Sequence, residues 1–152
     1  MASKIRVLVD LNVIIDVMQN RQPFFEDSAG VVDAVARGDV LGWLAAHSIT
    51  TMFYVISRTR NRETAVQAVT GLLESFTIAK VDDMVIREAL SLGWKDFEDA
   101  VQMAAASVEG IDYLITRNIK DFQSGQIPVI QPAAFLALLD SNQDIEGWVG
   151  KG

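Results

Sequence analysis

The chain has 152 residues and a net charge of −7, half of its residues are hydrophobic, and it contains no cysteine. This composition is typical of one globular domain and excludes disulfide bridges and thiolate metal sites. The negative charge disfavours a general nucleic-acid binder, because phosphate contacts dominate that affinity, but it is compatible with a nuclease whose acidic cluster binds divalent cations.

No apolar run reaches the roughly 18 residues that a membrane span needs, and the first residues lead directly into a strand. We therefore expect no membrane anchor, no signal peptide and a cytoplasmic protein. The single histidine, His47, argues against a zinc site. Any metal must be bound by oxygen ligands, which favours Mg²⁺ or Mn²⁺.

Short apolar segments alternate along the chain with segments of helical periodicity. Apolar runs rich in β-branched residues predict strands, and apolar residues spaced three and four apart predict helices. The predicted strands are 5–9, 40–45, 77–81, 112–116 and 128–130; one predicted helix begins at 12, and the others cover 26–37, 49–58, 63–76, 83–92, 95–109 and 133–139. This order predicts a three-layer α/β/α domain with a mainly parallel sheet over residues 1–140 and a tail of uncertain order over 141–152.

The first strand ends at Asp10, and a helix follows from Asn12. Ligands of open α/β sheets gather at the carboxyl ends of the strands, where both side chains are expected. Asp10 is also a good helix N-cap. Taken alone, it favours the capping role over a chemical one.

Two further segments change that balance. The helix 95–109 carries two carboxylates three residues apart beside its apolar face, although acidic residues in a first helical turn also favour the helix dipole. Right-handed crossovers bring the strand ends to one edge of the sheet, and converging carboxylates are tolerated mainly around a divalent cation. The pattern favours metal-assisted phosphoryl transfer or phosphodiester hydrolysis. The candidate side chains are Asp10 and Asn12, Asp96 and Asp99, and Asn118 and Asp121.

Three short motifs occur in order on these elements: Asp10-Leu11-Asn12-Val13-Ile14-Ile15-Asp16, Asp96-Phe97-Glu98-Asp99-Ala100, and Thr116-Arg117-Asn118 with Asp121-Phe122. Together they resemble the motifs of PIN-domain proteins, which include the VapC-like toxins of bacterial toxin–antitoxin pairs. The resemblance extends from Ile5 to about Leu139. It implies a PIN-like α/β/α fold and a divalent-metal-dependent ribonuclease.

The resemblance also implies roles for individual residues. Asp10 matches the family's first metal ligand, supported by Asn12, and Asp99 matches the carboxylate of the central helix, with Asp96 one turn earlier. Asn118 falls where many members have the last acid, and Asp121 lies three residues on. Thr116 matches the hydroxyl residue at the strand end, and Ser48 is a further candidate for a supporting role. An antitoxin peptide bound in an apolar groove near the site and a homodimer are implied in the same way.

The chain departs from the family pattern at one clear point. Most members have a glutamate one turn after a helix start that contains Ser or Thr, here Ser48-Ile49-Thr50. That position falls near Phe53 and Tyr54, which cannot bind a metal. Asn118 also replaces an acid, so that only Asp10 and Asp99 of the usual quartet remain, with Asp96 and Asp121 as compensating candidates.

Basic residues near these motifs have two interpretations. Arg21, Arg117 and Lys120 are candidates for neutralising a phosphate oxygen of RNA. Arg58, Arg60 and Arg62 fit a solvated helix junction better than an RNA-contact patch. His47 is interpreted as a cap or packing residue.

Three functions are compatible with these patterns. A metal-dependent endoribonuclease ranks first, and a PIN-fold binding module with a weakened metal site ranks second. A receiver-like or haloacid-dehalogenase-like domain, with Asp10 as a phosphorylated nucleophile, ranks last. The phosphatase would need a second aspartate where this chain has Asn12.

Overall fold

In the computed structural model, which describes residues 3–122 and 125–150, five strands form one sheet flanked by helices. The strands are β1 (Arg6–Val9), β2 (Leu41–Ala45), β3 (Phe76–Ala79), β4 (Tyr113–Ile115) and β5 (Val129–Ile130). The helices are α1 (Leu11–Met18), α2 (Phe25–Ala36), α3 (Ala46–Thr59), α4 (Arg62–Leu73), α5 (Asp83–Leu92), α6 (Phe97–Glu109) and α7 (Pro132–Gly150), and a short 3-10 helix spans Ile119–Asp121.

The strand order is β3-β2-β1-β4-β5, and every neighbouring pair is parallel. The chain moves outward from β1 to β3 on one side and then returns to the other side of β1 with β4. The order therefore reverses between β1 and β4. In sheets of this kind, ligands bind beyond the carboxyl ends of the strands at such a reversal.

The sheet is buried on both faces, which explains the uninterrupted apolar run of the first strand. Val7, Leu8 and Val9 are all fully buried. Val7 and Val9 pack into one apolar cluster with residues of α1 and α2, whereas Leu8 packs into a second cluster with the alanines of α6. The predicted three-layer α/β/α architecture with a parallel sheet is confirmed.

Helix α7 begins at Pro132 as expected, but it runs to Gly150 instead of ending at Leu139. No proline or glycine interrupts the sequence between Pro132 and Gly147, so that nothing in the chain stops the helix at the predicted point. The division into a domain over 1–140 and a tail over 141–152 stays a prediction. Among the described residues, no helix is long and apolar enough to cross a membrane.

Candidate active site

A cleft of about 330 Å³ opens at the carboxyl ends of β1 and β4, beside the strand-order reversal. Its walls come from α1, from the first turns of α3 and α6, and from the 3-10 segment after β4. Most of the side chains that the sequence marks as candidates meet there: Asp10, Asn12, Arg21, Ser48, Asp96, Asp99, Asn118 and Asp121. Four segments that are distant in the chain thus supply oxygen atoms to one cavity.

The carboxylate of Asp10 is fixed by two neutral donors. Gln102 Nε2 donates to Oδ1 at 3.0 Å, and Thr116 Oγ1 donates to Oδ2 at 2.7 Å. Asp10 occupies the N-cap position of α1, but its side chain makes no capping hydrogen bond. The capping interpretation of Asp10 is therefore wrong. Its two oxygens are oriented by residues about a hundred positions away in the chain.

Thr116 connects Asp10 to the other polar groups at this edge of the sheet. Its fully buried hydroxyl accepts hydrogen bonds from Asn12 Nδ2 at 3.3 Å and from the backbone N–H of Asn118 at 3.2 Å. Asn12 Oδ1 is buried without a hydrogen-bond partner among the described residues. The hydroxyl of Thr116 thus orients the carboxylate of Asp10, and the amide oxygen of Asn12 stays without a hydrogen bond.

Asp99 lies where negative charge is crowded. Burial, and then the charges of Asp96, Asp10, Asp121 and Glu98, raise the pKa of Asp99 to about 7. Carboxylates so placed favour a proton or a cation at their centre. Asp96 also has the role expected of a first-turn acid, since it caps α6 by accepting a hydrogen bond from the Asp99 N–H at 3.1 Å.

Gln102 and His47 line the cleft but were not selected from the sequence as site residues. Gln102 follows Asp99 by three residues on α6, so both lie on the same face of the helix. This spacing, and a polar residue within an apolar stripe, could have identified Gln102 from the sequence. His47 lies within the first turn of α3 and is not its cap, which is Ala45. Burial lowers the pKa of His47, so its imidazole is neutral at pH 7.

Arg117 lies apart from the cleft and pairs with a buried acid. Its Nε donates to Asp16 Oδ2 at 2.6 Å, and its guanidinium lies 4.2 Å from the ring centroid of Phe24. Asp16 is fully buried and also accepts a hydrogen bond from Ser28. The pair ties the segment after β4 to α1, and so holds the adjacent Thr116 in place.

Lys120 borders a second pocket, of about 420 Å³, next to the cleft. Trp94 and Lys95 line the same pocket, and Asp96 and Asp121 line both cavities. Two ammonium groups therefore lie beside the acidic centre.

Helix α3 contributes no carboxylate to the cleft. Its lining residues are His47, Ser48, Thr51 and Val55. Phe53 packs against the apolar core, and the Tyr54 side chain points away from the core with 61% of its surface exposed. The position where the resemblance implies a glutamate is thus occupied by side chains that do not coordinate metal ions.

The donor set fits a cation site that is open on one side. Among the described residues, no group of three or more His, Asp or Glu side chains is arranged to hold a metal ion. Asp10 and Asp99 nevertheless line one cleft, and Asn12, whose buried Oδ1 has no partner among the described residues, lines it as well. Mg²⁺ is commonly bound by one or two carboxylates, with water and substrate phosphate as its other ligands. Two carboxylates therefore suffice for a Mg²⁺ or Mn²⁺ ion.

A sequence model of the PIN domain matches residues 6–120. The chain belongs to the PIN-domain family. The match runs from β1 to Lys120, within the 3-10 segment, and includes Asp10, Asp99 and Thr116, so that the resemblance noted in the sequence is confirmed.

One protein with a similar sequence and two solved structures with a similar fold match most of this chain. Ribonuclease VapC1 of Aquifex aeolicus is 28% identical over 137 residues, which cover 86% of this chain and 92% of that protein. A toxin–antitoxin complex from Klebsiella pneumoniae contains a chain with a TM-score of 0.65 and 21% identity, over 83% of this chain and 97% of that one. A chain in the structure of VapBC2 from Rickettsia felis, bound to a DNA fragment from its promoter, has a TM-score of 0.67 and 13% identity. The match covers 82% of this chain and 97% of that one.

Proposed function

We propose that this PIN domain is a divalent-metal-dependent endoribonuclease that hydrolyses RNA phosphodiester bonds and acts as the toxin of a toxin–antitoxin pair. The observation that carries the proposal is the cleft that Asp10 and Asp99 line together. Gln102 and Thr116 orient the carboxylate of Asp10, and burial and nearby negative charges, including that of Asp10, raise the pKa of Asp99. The similarity to a protein named as a ribonuclease supports the choice of substrate.

Asp10 and Asp99 would hold the cation, and Asp96, Asn118 and Asp121 line the same cleft closer to solvent. When bound, Mg²⁺ or Mn²⁺ supplies Lewis acidity to the phosphate and lowers the pKa of water. Gln102 and Thr116 keep the carboxylate of Asp10 in one orientation, so that less side-chain entropy is lost when the cation binds. His47 is neutral and lines the cleft, where it is able to accept a proton.

The cations of the chain would position the RNA phosphates. Arg21 lines the cleft, and Lys95 and Lys120 border the neighbouring pocket. A phosphate that bridges these groups would lie against the acidic centre, with charge-assisted hydrogen bonds to its non-bridging oxygens. Arg117 is assigned a positioning role instead, because its guanidinium already pairs with Asp16.

The proposal is tested by cleavage of structured and unstructured RNAs with Mn²⁺, Mg²⁺ or EDTA. We expect cutting with either metal, none with EDTA, and a loss of at least about a hundredfold in Asp99→Asn. Asp33→Asn is the matched control, because Asp33 is an exposed acid of α2 that does not line the cleft. The absence of cutting by folded, antitoxin-free wild type, or undiminished cutting by Asp99→Asn, would overturn the proposal.

The second candidate is a PIN-fold binding module with an inactive metal site. It is favoured by α3, which contributes no carboxylate to the cleft. Titration calorimetry of the pure protein with Mn²⁺ separates the two functions. Heat that disappears in Asp10→Asn supports the enzyme, and the absence of heat in wild type supports the binding module.

An antitoxin is the proposed protein partner, in line with the toxin–antitoxin complexes among the similar structures. An apolar groove of about 340 Å³ between α1, α2 and α4 is the proposed site for its peptide; it is lined by Met18, Val32, Ala68, Leu72 and Phe76, among others. This groove shares no lining residue with the cleft, so it differs from the expected groove near the site. A homodimer is proposed as well. Equilibrium sedimentation measures the oligomeric state, and Ala68→Asp should weaken antitoxin binding without changing RNA cleavage by the free protein.

A further inference from the structure

An exposed aromatic side chain lies on α3, the helix that contributes His47, Ser48, Thr51 and Val55 to the cleft lining. Tyr54 has 61% of its surface exposed, and it follows the cleft-lining Thr51 by three residues on α3. Residues three and four apart on a helix are neighbours, so Tyr54 extends the cleft-lining stripe toward solvent. Single exposed aromatic residues are common, and Tyr54 alone would indicate nothing.

The charge around Tyr54 is the second observation. The guanidinium of Arg58 lies 5.6 Å from the ring centroid of Tyr54, within the range of a cation–π interaction. Because Tyr54 stays largely exposed beside Arg58, room is left for a second planar group at its ring.

Arg58 begins a cluster with Arg60 and Arg62, three cations within five residues of a chain that has 13 basic and 20 acidic residues. In the part of the chain that the structure describes, all salt bridges of basic residues are made by Arg37, Lys80, Arg87 and Arg117. Within that part, the three arginines at the junction of α3 and α4 are therefore not neutralised by a carboxylate. This is the only such concentration of arginine in the sequence, and it follows the helix that lines the cleft.

We propose that Tyr54 and Arg58 form a stacking platform for one unpaired base of the RNA, and that Arg58, Arg60 and Arg62 contact phosphates of the same strand. The proposal rests on the proposed ribonuclease function and specifies its substrate as single-stranded at the nucleotide that contacts α3. A base inside a duplex is stacked on its neighbours and cannot offer its face to a side chain. Base–aromatic stacking tolerates any base, so the platform selects for an unpaired nucleotide and not for a sequence.

The test is fluorescence anisotropy with a labelled single-stranded RNA and with the same RNA in a hairpin stem, in the Asp99→Asn background to prevent cutting. Tyr54→Ala should weaken binding of the single strand by roughly tenfold, and Tyr54→Phe should restore it. Replacing one nucleotide of the RNA by an abasic residue should abolish the difference in RNA affinity between the protein with Tyr54 and the Tyr54→Ala variant. Leu90→Ala is the matched control, since Leu90 is 64% exposed on α5 and is absent from the cleft lining.

Salt dependence separates stacking from charge. Tyr54→Ala should leave the slope of log Kd against log salt unchanged, whereas Arg58→Gln should reduce it by about 0.7, the value for one phosphate contact on a single strand. The platform is overturned if the protein with Tyr54 and the Tyr54→Ala variant bind the single-stranded RNA equally well. It is also overturned if Tyr54→Ala changes the oligomeric state and not the RNA affinity.

Cleavage by the protein with native Asp99 keeps the two proposals apart. If that protein cuts RNA and Tyr54→Ala cuts and binds it equally well, the platform is wrong and the ribonuclease stands. If the native protein neither cuts nor binds RNA, both the ribonuclease proposal and the platform proposal are wrong.

Discussion

Thr116 donates a hydrogen bond of 2.7 Å to Asp10, and this bond joins the ends of the two central strands, β4 and β1. The threonine hydroxyl also accepts from the Asn12 side chain and the Asn118 backbone. One buried oxygen atom therefore joins two segments of the candidate active site, the one after β1 and the one after β4.

We expect Thr116→Val to weaken both stability and function, because valine keeps the shape of threonine but cannot donate to Asp10 or accept from Asn12. The unsatisfied buried groups should lower the free energy of unfolding by about 1–3 kcal/mol. Thr116→Ser keeps the hydroxyl and should restore RNA cleavage. Urea unfolding and a cleavage assay on the same preparations measure the two effects. Full activity in Thr116→Val would show that Asp10 does not need this donor.

Removing one partner of the Asp16–Arg117 pair should be costly, because Asp16 is fully buried and its charge would lose its counter-ion. Arg117→Met should destabilise the protein by roughly 3–5 kcal/mol. The double variant Arg117→Met with Asp16→Leu leaves no buried charge at this pair and should recover much of that loss. A double-mutant cycle in urea gives the coupling energy. Additive effects of the two substitutions would show that the ion pair contributes nothing.

The raised pKa of Asp99 predicts that the metal-free protein loses stability as the pH rises. The pKa is about 7 in the folded protein, against an ordinary value of 3.8. Between these values the folded state binds a proton that the unfolded state has released, so the free energy of unfolding falls as the pH rises from 4 to 7 and levels off above.

Asp99→Asn should remove this slope and be more stable than wild type at pH 8. Saturating Mg²⁺ should remove most of the difference, because a cation replaces the proton. Urea titrations at pH 5 and pH 8, with EDTA and with Mg²⁺, measure these effects. An identical pH profile for wild type and variant would rule out Asp99 as the group that titrates.

Gln102→Leu should lower the affinity for Mn²⁺ by about 10- to 100-fold, because Asp10 Oδ1 loses the donor that orients it. Leucine fits the volume of glutamine, so that folding should be retained. Titration calorimetry gives the affinity, with Gln126→Leu as a control outside the cleft lining. Unchanged Mn²⁺ affinity would mean that Thr116 alone is sufficient to orient Asp10.

The positions of the strands and most helices followed from the sequence. The run Val7–Val9 is apolar because it is buried on both faces, and Gly93 and Gly110 end α5 and α6 in the left-handed conformation that glycine adopts most readily. The end of α7 was missed because the sequence after Leu139 turns polar without containing a helix breaker.

The candidate site was predictable only in part. Asp10 and Thr116 were selected because short motifs mark the carboxyl ends of β1 and β4, and Asp99 because a third motif marks the first turn of α6. Gln102 and His47 were not, and Arg117 was assigned to phosphate although its guanidinium pairs with Asp16. Whether a polar side chain caps a helix, pairs with an acid or faces a cleft depends on neighbours that are far away in the chain.

The sequence by itself determined the α/β class, the likeness to PIN domains and the acidic character of the site, because hydrophobic periodicity and short motifs are local properties. Only the tertiary structure decided that Asp10 is oriented by Gln102 and Thr116 and that Asp16 neutralises Arg117. The partners in these pairs lie 92 to 106 positions apart, and only the crossovers of the parallel sheet bring them within hydrogen-bond distance.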